Sequence, residues 1–512
     1  MEKIKRLLFL SAFVVALVMF TSCGQKHKDY IPADSKIVGK IDVKAFFEQT
    51  GADAEKLMED IEDAFGNEAG FDISSLKEMG IDVKVPIYIF GRGKGTNYTF
   101  GIVAKVDDKD KVKDWFEDNA KVDIDKDGDG FEYFANGDAA FGLNSDALVI
   151  LGTTGNDAKK EIKKIMGKEI DGDLGDNKLF DKVCDANSFA CLYADLSIIS
   201  EDIVEMIGSQ MPQLKEQLED TRKTVVGIDG TCSDGICDFE YWAESDDSKV
   251  QKKIDEAKEL YREIDEKGIN TIPETALGGF AANIDGPKTS KYMNKSLKEN
   301  KLLEQLPSEA KDLYESFVDI ISAVDGNIAA YFAAPQDFMV AVESKGGLAD
   351  KIAEVIKNLD GSSPSYASFT DEPDFIDDDT AVDDDLDEDI DEEDYDYSDS
   401  YTGYGSTPFT VEKTADGYIF NNGYGSQFWF GNKNDAFYFT SNESLISTAL
   451  KKADKPVPSE LVSFATSRKF MFFFSLGKVK DFSAAMDEDV KKVFNAFDEI
   501  FSKINYVTFS MK

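Results

Sequence analysis

FGLNSDALVILGTTGNDAKKEIKKI, residues 141–165, recurs as FGNKNDAFYFTSNESLISTALKK, residues 430–452, with Asp146-Ala147 matched by Asp435-Ala436. Each copy reads as a strand, a turn of small residues ending in a helix cap, and an amphipathic helix. Upstream, FEYFANGDAA is matched by GYIFNNGYGS, so a preceding strand recurs. Downstream, SFACLYADLSIISEDIVEM (188–206) is matched by RKFMFFFSLGKVKDFSAAM (468–486), a strand that breaks directly into a helix. The earlier blocks also fall into step. KIVGKIDVKAFFEQ pairs with ALGGFAANIDGPKTSKYM (276–293), and the hairpin and helix of VPIYIFGRGKGTNYTFGIVAKVDDKDKVKDWFE pair with NIAAYFAAPQDFMVAVESKGGLADKIAEVI (327–356). Five blocks in one order predict an α+β fold of two pseudo-repeated domains, at about 36–265 and 270–512, near the usual domain size. Each is expected to be a mainly antiparallel sheet of hairpins with helices packed on it.

The first residues belong to neither copy. Lys3, Lys5 and Arg6 precede LLFLSAFVVALVMF (7–20), the layout of a signal peptide over residues 1–22. Its apolar run is shorter than the roughly 20 residues a spanning helix needs. FTSC, residues 20–23, resembles the lipobox of bacterial lipoproteins in its looser Bacteroidetes form, which makes Cys23 the lipidated first residue of the mature chain. Two or more acyl chains, each contributing about 0.8 kcal/mol per buried methylene, hold a protein stably on a bilayer. Residues 23–35 then read as a polar tether. Bacteroidetes lipoproteins sent to the surface tend to carry acidic residues right after the cysteine, whereas Lys26, His27 and Lys28 stand here. The expected location is the cell envelope, anchored to the outer membrane on its periplasmic face.

His27 is the only histidine, and it falls on that tether. A folded region without imidazole excludes Ser-His-Asp and Cys-His catalysis, HExxH zinc sites and most transition-metal sites. Hydrolysis by paired carboxylates survives. The precursor's formal charge is −43, and Lys3, Lys5 and Arg6 against Glu2 leave the chain from Cys23 onward at −45. Such a chain repels nucleic acid and anionic head groups. Calcium, a basic envelope protein or a neutral glycan is compatible with it. Residues 360–406 occur in the second copy alone, and Asp371 to Asp399 carry 18 acids without a Lys or Arg. This insertion reads as a disordered acidic loop. Phe375, Ile376, Leu386, Ile390 and Tyr395 are interspersed in it, as docking residues for a basic partner would be.

Two glycine loops look like ligand sites. DIDKDGDGFEYF (123–134) has the spacing of a calcium loop, but position 12 is Phe134, the glutamate comes early at Glu132, and no helix flanks it. The second copy shows EKTADGYIFNN there, so an enlarged β-turn is expected, with low-affinity calcium binding as the alternative. GRGKGT (91–96) lacks the spacing of a phosphate loop and is followed by a strand. A hairpin turn is expected there too. In TCSDGICDF, the Asp234-Gly235 turn sets Cys232 opposite Cys237 at a pair whose side chains are closest, so a disulfide is expected. Cys184 and Cys191 then pair by elimination; other pairings and a four-thiolate zinc site are the rivals. The aromatic run GYGSQFWFGNKNDAFYF (423–439) reads as core, with a sugar platform as its alternative.

Cys23 in its loose lipobox, IPADSKIVGKIDVKAFFEQTG after the tether, and the repeated strand-break-helix block together resemble a family of uncharacterised Bacteroidetes lipoproteins, a domain-of-unknown-function family. The resemblance implies a lipoprotein of tandem domains and supplies no catalytic residues. The function expected is non-enzymatic binding or scaffolding of another protein, with no cofactor. Glycan binding or carboxylate-dependent glycan hydrolysis is the second expectation, and calcium-responsive adhesion the third.

Overall fold

The structure is a computed structural model that describes residues 26–65, 79–82, 84–120, 122, 124–126, 130–169, 174–299, 307–334, 337–361, 409–422, 425–483 and 488–512. The signal peptide, Cys23, Asp123, the centre of the DKDGDG loop and the acidic insertion beyond residue 361 lie outside the described residues.

The first half of the chain contributes β1 (Ile37–Ile41), β2 (Ile87–Lys94), β3 (Asn97–Val106), β4 (Asp125–Lys126), β5 (Glu132–Asn136), β6 (Ala139–Leu143), β7 (Ala147–Thr154), β8 (Ala190–Asp195), β9 (Val225–Ser233) and β10 (Ile236–Glu244). The second contributes β11 (Gly278–Asp285), β12 (Val324–Ala334), β13 (Asp337–Ser344), β14 (Thr410–Lys413), β15 (Tyr418–Asn421), β16 (Gln427–Lys433), β17 (Ala436–Thr440), β18 (Phe470–Ser475) and β19 (Tyr506–Met511). Two short strands, Ile81–Asp82 and Tyr261–Arg262, extend the sheet beside β3 and β11.

Pairing in the first half runs β4-β5-β6-β7-β3-β2-β1-β8-β9-β10, all antiparallel. In the second it runs β14-β15-β16-β17-β13-β12-β11-β18-β19, again antiparallel. Adding ten to each label of β1 to β9 turns the first order into the second. The two stretches expected as domains share one sheet, because β10 and β19 pair in parallel, Ile236 opposite Tyr506 through Glu240 opposite Ser510. The fold is thus mixed helix and strand around a large, mainly antiparallel sheet.

Aspartate is what lets these strands turn at once into helices. Asp42, Asp108, Asp157 and Asp247 each stand in extended backbone just before a helix, with side chains accepting backbone N–H groups of its first turn, which offsets the orphan donors there. Part of the chain's acidity is therefore capping. The tight turns have residues suited to positive φ: Asp234-Gly235 at 51° and 76°, and Asn434-Asp435 at 54° and 61°, the primed hairpin geometry that matches strand twist.

One face of the sheet is roofed across most strands of both halves. In the first half it holds Val38, Tyr88, Phe90, Val149, Tyr193 and their neighbours under helices Ala158–Met166 and Lys178–Asp185. In the second it holds Tyr331, Met339, Tyr438, Met471 and Phe473 under helix Ser459–Ala465 and its surroundings. The opposite face is roofed towards its ends and, over the middle strands, along one edge, where Ala45, Phe46, Leu476, Ile500 and Ile504 pack on Cys232, Cys237, Phe239 and Val507. Helices Ala54–Phe65, Lys109–Trp115 and Glu488–Ala496 cover one end, and Ser308–Ala323 with Leu348–Gly361 cover the other.

The segment expected as a free tether is folded from Lys26 onward. Tyr30 and Ile31 are core residues of the first half, and His27 has no exposed surface. Its Nε2 is hydrogen-bonded to the Pro86 carbonyl at 2.9 Å and its ring lies 5.5 Å from that of Tyr88. The premise that the folded region lacks imidazole is overturned: YIPAD, residues 30–34, is apolar enough at Tyr30-Ile31 to anchor the tether, and this carries His27 into the core.

Candidate functional site: a bare apolar sheet face

Side chains in register share a face, so the ladders define what the unroofed middle presents. One row runs Ile102, Ile89, Gly39, Leu192, Ile228, Tyr241 across β3, β2, β1, β8, β9 and β10. The next continues from Phe239 through Phe509, Phe472 and Phe280 to Ala330 across β10, β19, β18, β11 and β12. Phe474, Gly278 and Phe332 form a third row, and Phe100 lies over Gly91. Phe100, Ile102, Leu192, Ile228, Tyr241, Phe332, Phe472, Phe474 and Phe509 are each 39% to 47% exposed. All nine project from this one face.

Small residues between them allow the rings to lie across neighbouring strands. A Cβ on Gly91 would meet the Phe100 ring at 2.9 Å, and one on Gly278 would meet the Phe332 ring at 2.7 Å. The rings also meet one another: Phe239 stacks on Phe509 at 5.3 Å, Phe280 contacts Phe472 at 4.6 Å, and Phe332 meets Phe474 edge-on at 6.4 Å. From β3 to β12 the strip crosses ten strands, which at about 4.8 Å per spacing makes it roughly 43 Å long. With about 200 Å² per large side chain, the nine expose on the order of 750 Å². Monomeric soluble proteins rarely leave a contiguous apolar patch this large uncovered.

The polar side chains of these central strands point the other way. Asp229 accepts hydrogen bonds from the Tyr193 hydroxyl at 2.6 Å and the Trp242 indole at 2.7 Å. Asp238, 2% exposed, accepts from Arg468 at 3.0 Å, from the Thr508 hydroxyl at 2.6 Å and from the Ser510 hydroxyl at 2.8 Å. Arg468 also reaches Glu240 at 3.2 Å and lies 4.5 Å from the Phe464 ring. This network ties β10 to β19 and so joins the two halves. The bare face therefore has no charged side chain in the rows traced above and no hydroxyl but that of Tyr241. It can adsorb apolar surface; it has few groups with which to hold sugar hydroxyls, and it presents no carboxylate pair.

The residues singled out by sequence fall elsewhere. Cys232 and Cys237 are ladder partners with Cα atoms 4.1 Å apart and are joined by a disulfide. Cys184 and Cys191, expected to pair by elimination, are free thiols. Cys184 lies at the end of helix Lys178–Asp185 beside the Tyr88 hydroxyl, and Cys191 is buried on β8 beside Ser188 and Tyr193, so each has its own polar neighbour. Desolvation pushes both thiols above their ordinary range, although Cys184 keeps exposed surface while Cys191 is buried. Among the described residues no group of three His, Cys, Asp or Glu side chains could hold a metal ion, and no helix is long and apolar enough to cross a membrane. Residues 91–96 form the β2–β3 hairpin, with Gly95 at φ +66°. The aromatic run at 423–439 is core where described: Phe430 is fully buried and Phe437 is 7% exposed.

Sequence reasoning missed the bare face because it assigned phenylalanine to core. The available signal was apolar residues on both faces of FMFFF at 470–474 and of YTFGIV at 98–103.

A family model, Domain of unknown function (DUF4836), matches residues 28–375. No curated protein matches the chain, and no solved structure does.

Proposed function

The chain belongs to the family Domain of unknown function (DUF4836), and from that premise we propose that it is a lipid-anchored cell-envelope protein which binds or scaffolds another macromolecule without catalysing a reaction. Two sibling α+β halves, 36–265 and 270–512, build one broad sheet between them, and the shared pairing order of β1–β9 and β11–β19 supports that reading. The signal-like run at 7–20 and FTSC at 20–23 support an anchor at Cys23 on the outer membrane, facing the periplasm, in a Bacteroidetes cell. The observation that carries the binding role is the roughly 43 Å apolar strip left bare on a sheet otherwise roofed on both sides.

Two measurements test it. Metabolic labelling with palmitate should mark the chain and not its Cys23→Ala variant. A photo-crosslinking amino acid at Phe472 should form adducts in intact cells, whereas the same group at exposed Lys252 should not. Equal crosslinking at both positions, or none at Phe472, would remove the docking role.

A further inference from the structure

Resting on that docking role, we infer that the strip is the seat of a single amphipathic helix from a partner protein, apolar on the side facing the sheet and basic on its flanks.

The depth of the missing layer comes first. Helices lie directly on the strands of this face on three sides: Leu57, Val112 and Ala496 at one end, Ile320 and Ala323 at the other, and Phe46 and Ile500 along one edge of the middle. A helix is about 10 to 12 Å across, so the bare strip is a trough one helix deep. A second copy of the chain would have to lower its own sheet to about 10 Å from this one, and the helices at the ends of each copy obstruct that approach.

The chemistry of the floor comes second. Its backbone groups are spent in the ladders and its side chains offer Phe, Ile, Leu and one Tyr. An extended peptide seated there would lose water from its own N–H and C=O groups and gain no partners, at a cost of about 1–3 kcal/mol for each orphan. A helix satisfies its backbone internally and presents only a stripe. A strip of roughly 43 Å accommodates about 28 helical residues.

Charge comes third. Helix Ser308–Ala323, at the β12 end of the strip, exposes Leu313 and Phe317, one turn apart, with Asp312, Glu315 and Asp319 exposed around them. The solvent side of this end helix is thus apolar and acidic together, with Asp319 paired to Lys351, on a chain whose net charge is strongly negative. A helix with lysine or arginine beside its apolar stripe complements both features, whereas acidic helices and anionic lipid surfaces are repelled.

The test uses the mature chain with Cys23→Ser and, as probe, a 28-residue peptide of leucine at helical i, i+3, i+4, i+7 spacing and lysine elsewhere. Its control is the scrambled peptide of equal charge. Calorimetric titration should give micromolar affinity for the patterned peptide and at least tenfold weaker binding of the scramble. Phe472→Ser with Phe509→Ser should weaken the patterned peptide at least tenfold, and Phe100→Ser with Ile102→Ser should do so independently from the other end. Each of the four side chains is more than half buried among its neighbours, so both variants lose some stability, and binding is compared well below each variant's measured melting temperature. Equal binding of the scramble, or unchanged binding by both variants, overturns the assignment. So does concentration-dependent dimerisation that either variant abolishes, or saturable binding of palmitate to the same face without binding of the peptide. If Phe472 crosslinks in cells while the peptide fails, the helix is wrong and the docking role stands.

Discussion

Replacing Asp238 with alanine should damage the joint between the halves more than any other single change there. The carboxylate takes hydrogen bonds from Arg468, Thr508 and Ser510, and the side chains of Asp238 and Arg468 are 3% and 7% exposed. Asp238→Ala leaves a nearly buried guanidinium with Glu240 as its remaining carboxylate, and breaking a buried pair this way costs about 3–5 kcal/mol. Unfolding entropy near 2.1 cal/mol/K per residue converts that into a temperature. If the chain melts as one unit of roughly 490 residues, the melting temperature should fall by about 3–5 °C; if the second half of roughly 240 residues melts alone, by about 6–10 °C. Scanning calorimetry separates the cases, because decoupled halves give a calorimetric enthalpy exceeding the van't Hoff value. The double variant Asp238→Leu with Arg468→Met, which buries no charge, should recover most of the loss. A single-variant shift below about 1 °C would mean that the network does not hold β10 to β19, and the reasoning would be refuted.

His27 makes stability depend on pH in the mildly acid range. Burial is the main cause lowering its folded-state pKa below 6.5, against the Pro86 hydrogen bond that raises it, so the unfolded chain binds the proton first. Stability should be full above pH 7, decline as pH falls through 6.5 and level off below the depressed pKa. Urea midpoints from pH 8 to 5 should show this slope, and His27→Gln should flatten it. Thiol counting on a Cys23→Ser chain should find Cys184 reactive in the native state, Cys191 reactive only after unfolding, and two more thiols after reduction. Opening the Cys232–Cys237 bond by Cys237→Ser should lower stability by about 2 kcal/mol, the loop being short. A native count of zero or two, or no shift in the urea midpoint, would contradict these placements.

What the sequence disclosed and what it withheld divide along a physical line. Alternation states which residues of a strand share a face, and it placed Cys232 opposite Cys237 across the turn at Asp234-Gly235. Alternation does not state whether anything covers that face. Phe473 is 1% exposed and Phe472, its neighbour, is 47% exposed, yet nothing local distinguishes them in FMFFF. Their difference is made by helix Ser459–Ala465, which roofs one side, whereas on the other the helix residues Phe46, Leu476 and Ile500 reach Phe239 and Val507 and leave Phe472 half exposed. The same blindness hid His27, which is buried because Tyr30 and Ile31 find a core built by residues from about 90 to 190. Cover is a property of the whole chain's path, whereas the local pattern records only readiness for it. An alternating strand that is apolar on both faces therefore signals either two roofs or one roof and a partner. In β18 and β19 one face is roofed while Phe472, Phe474 and Phe509 on the other stay 42% to 47% exposed, so on the proposed docking role that face is the place to look for a partner.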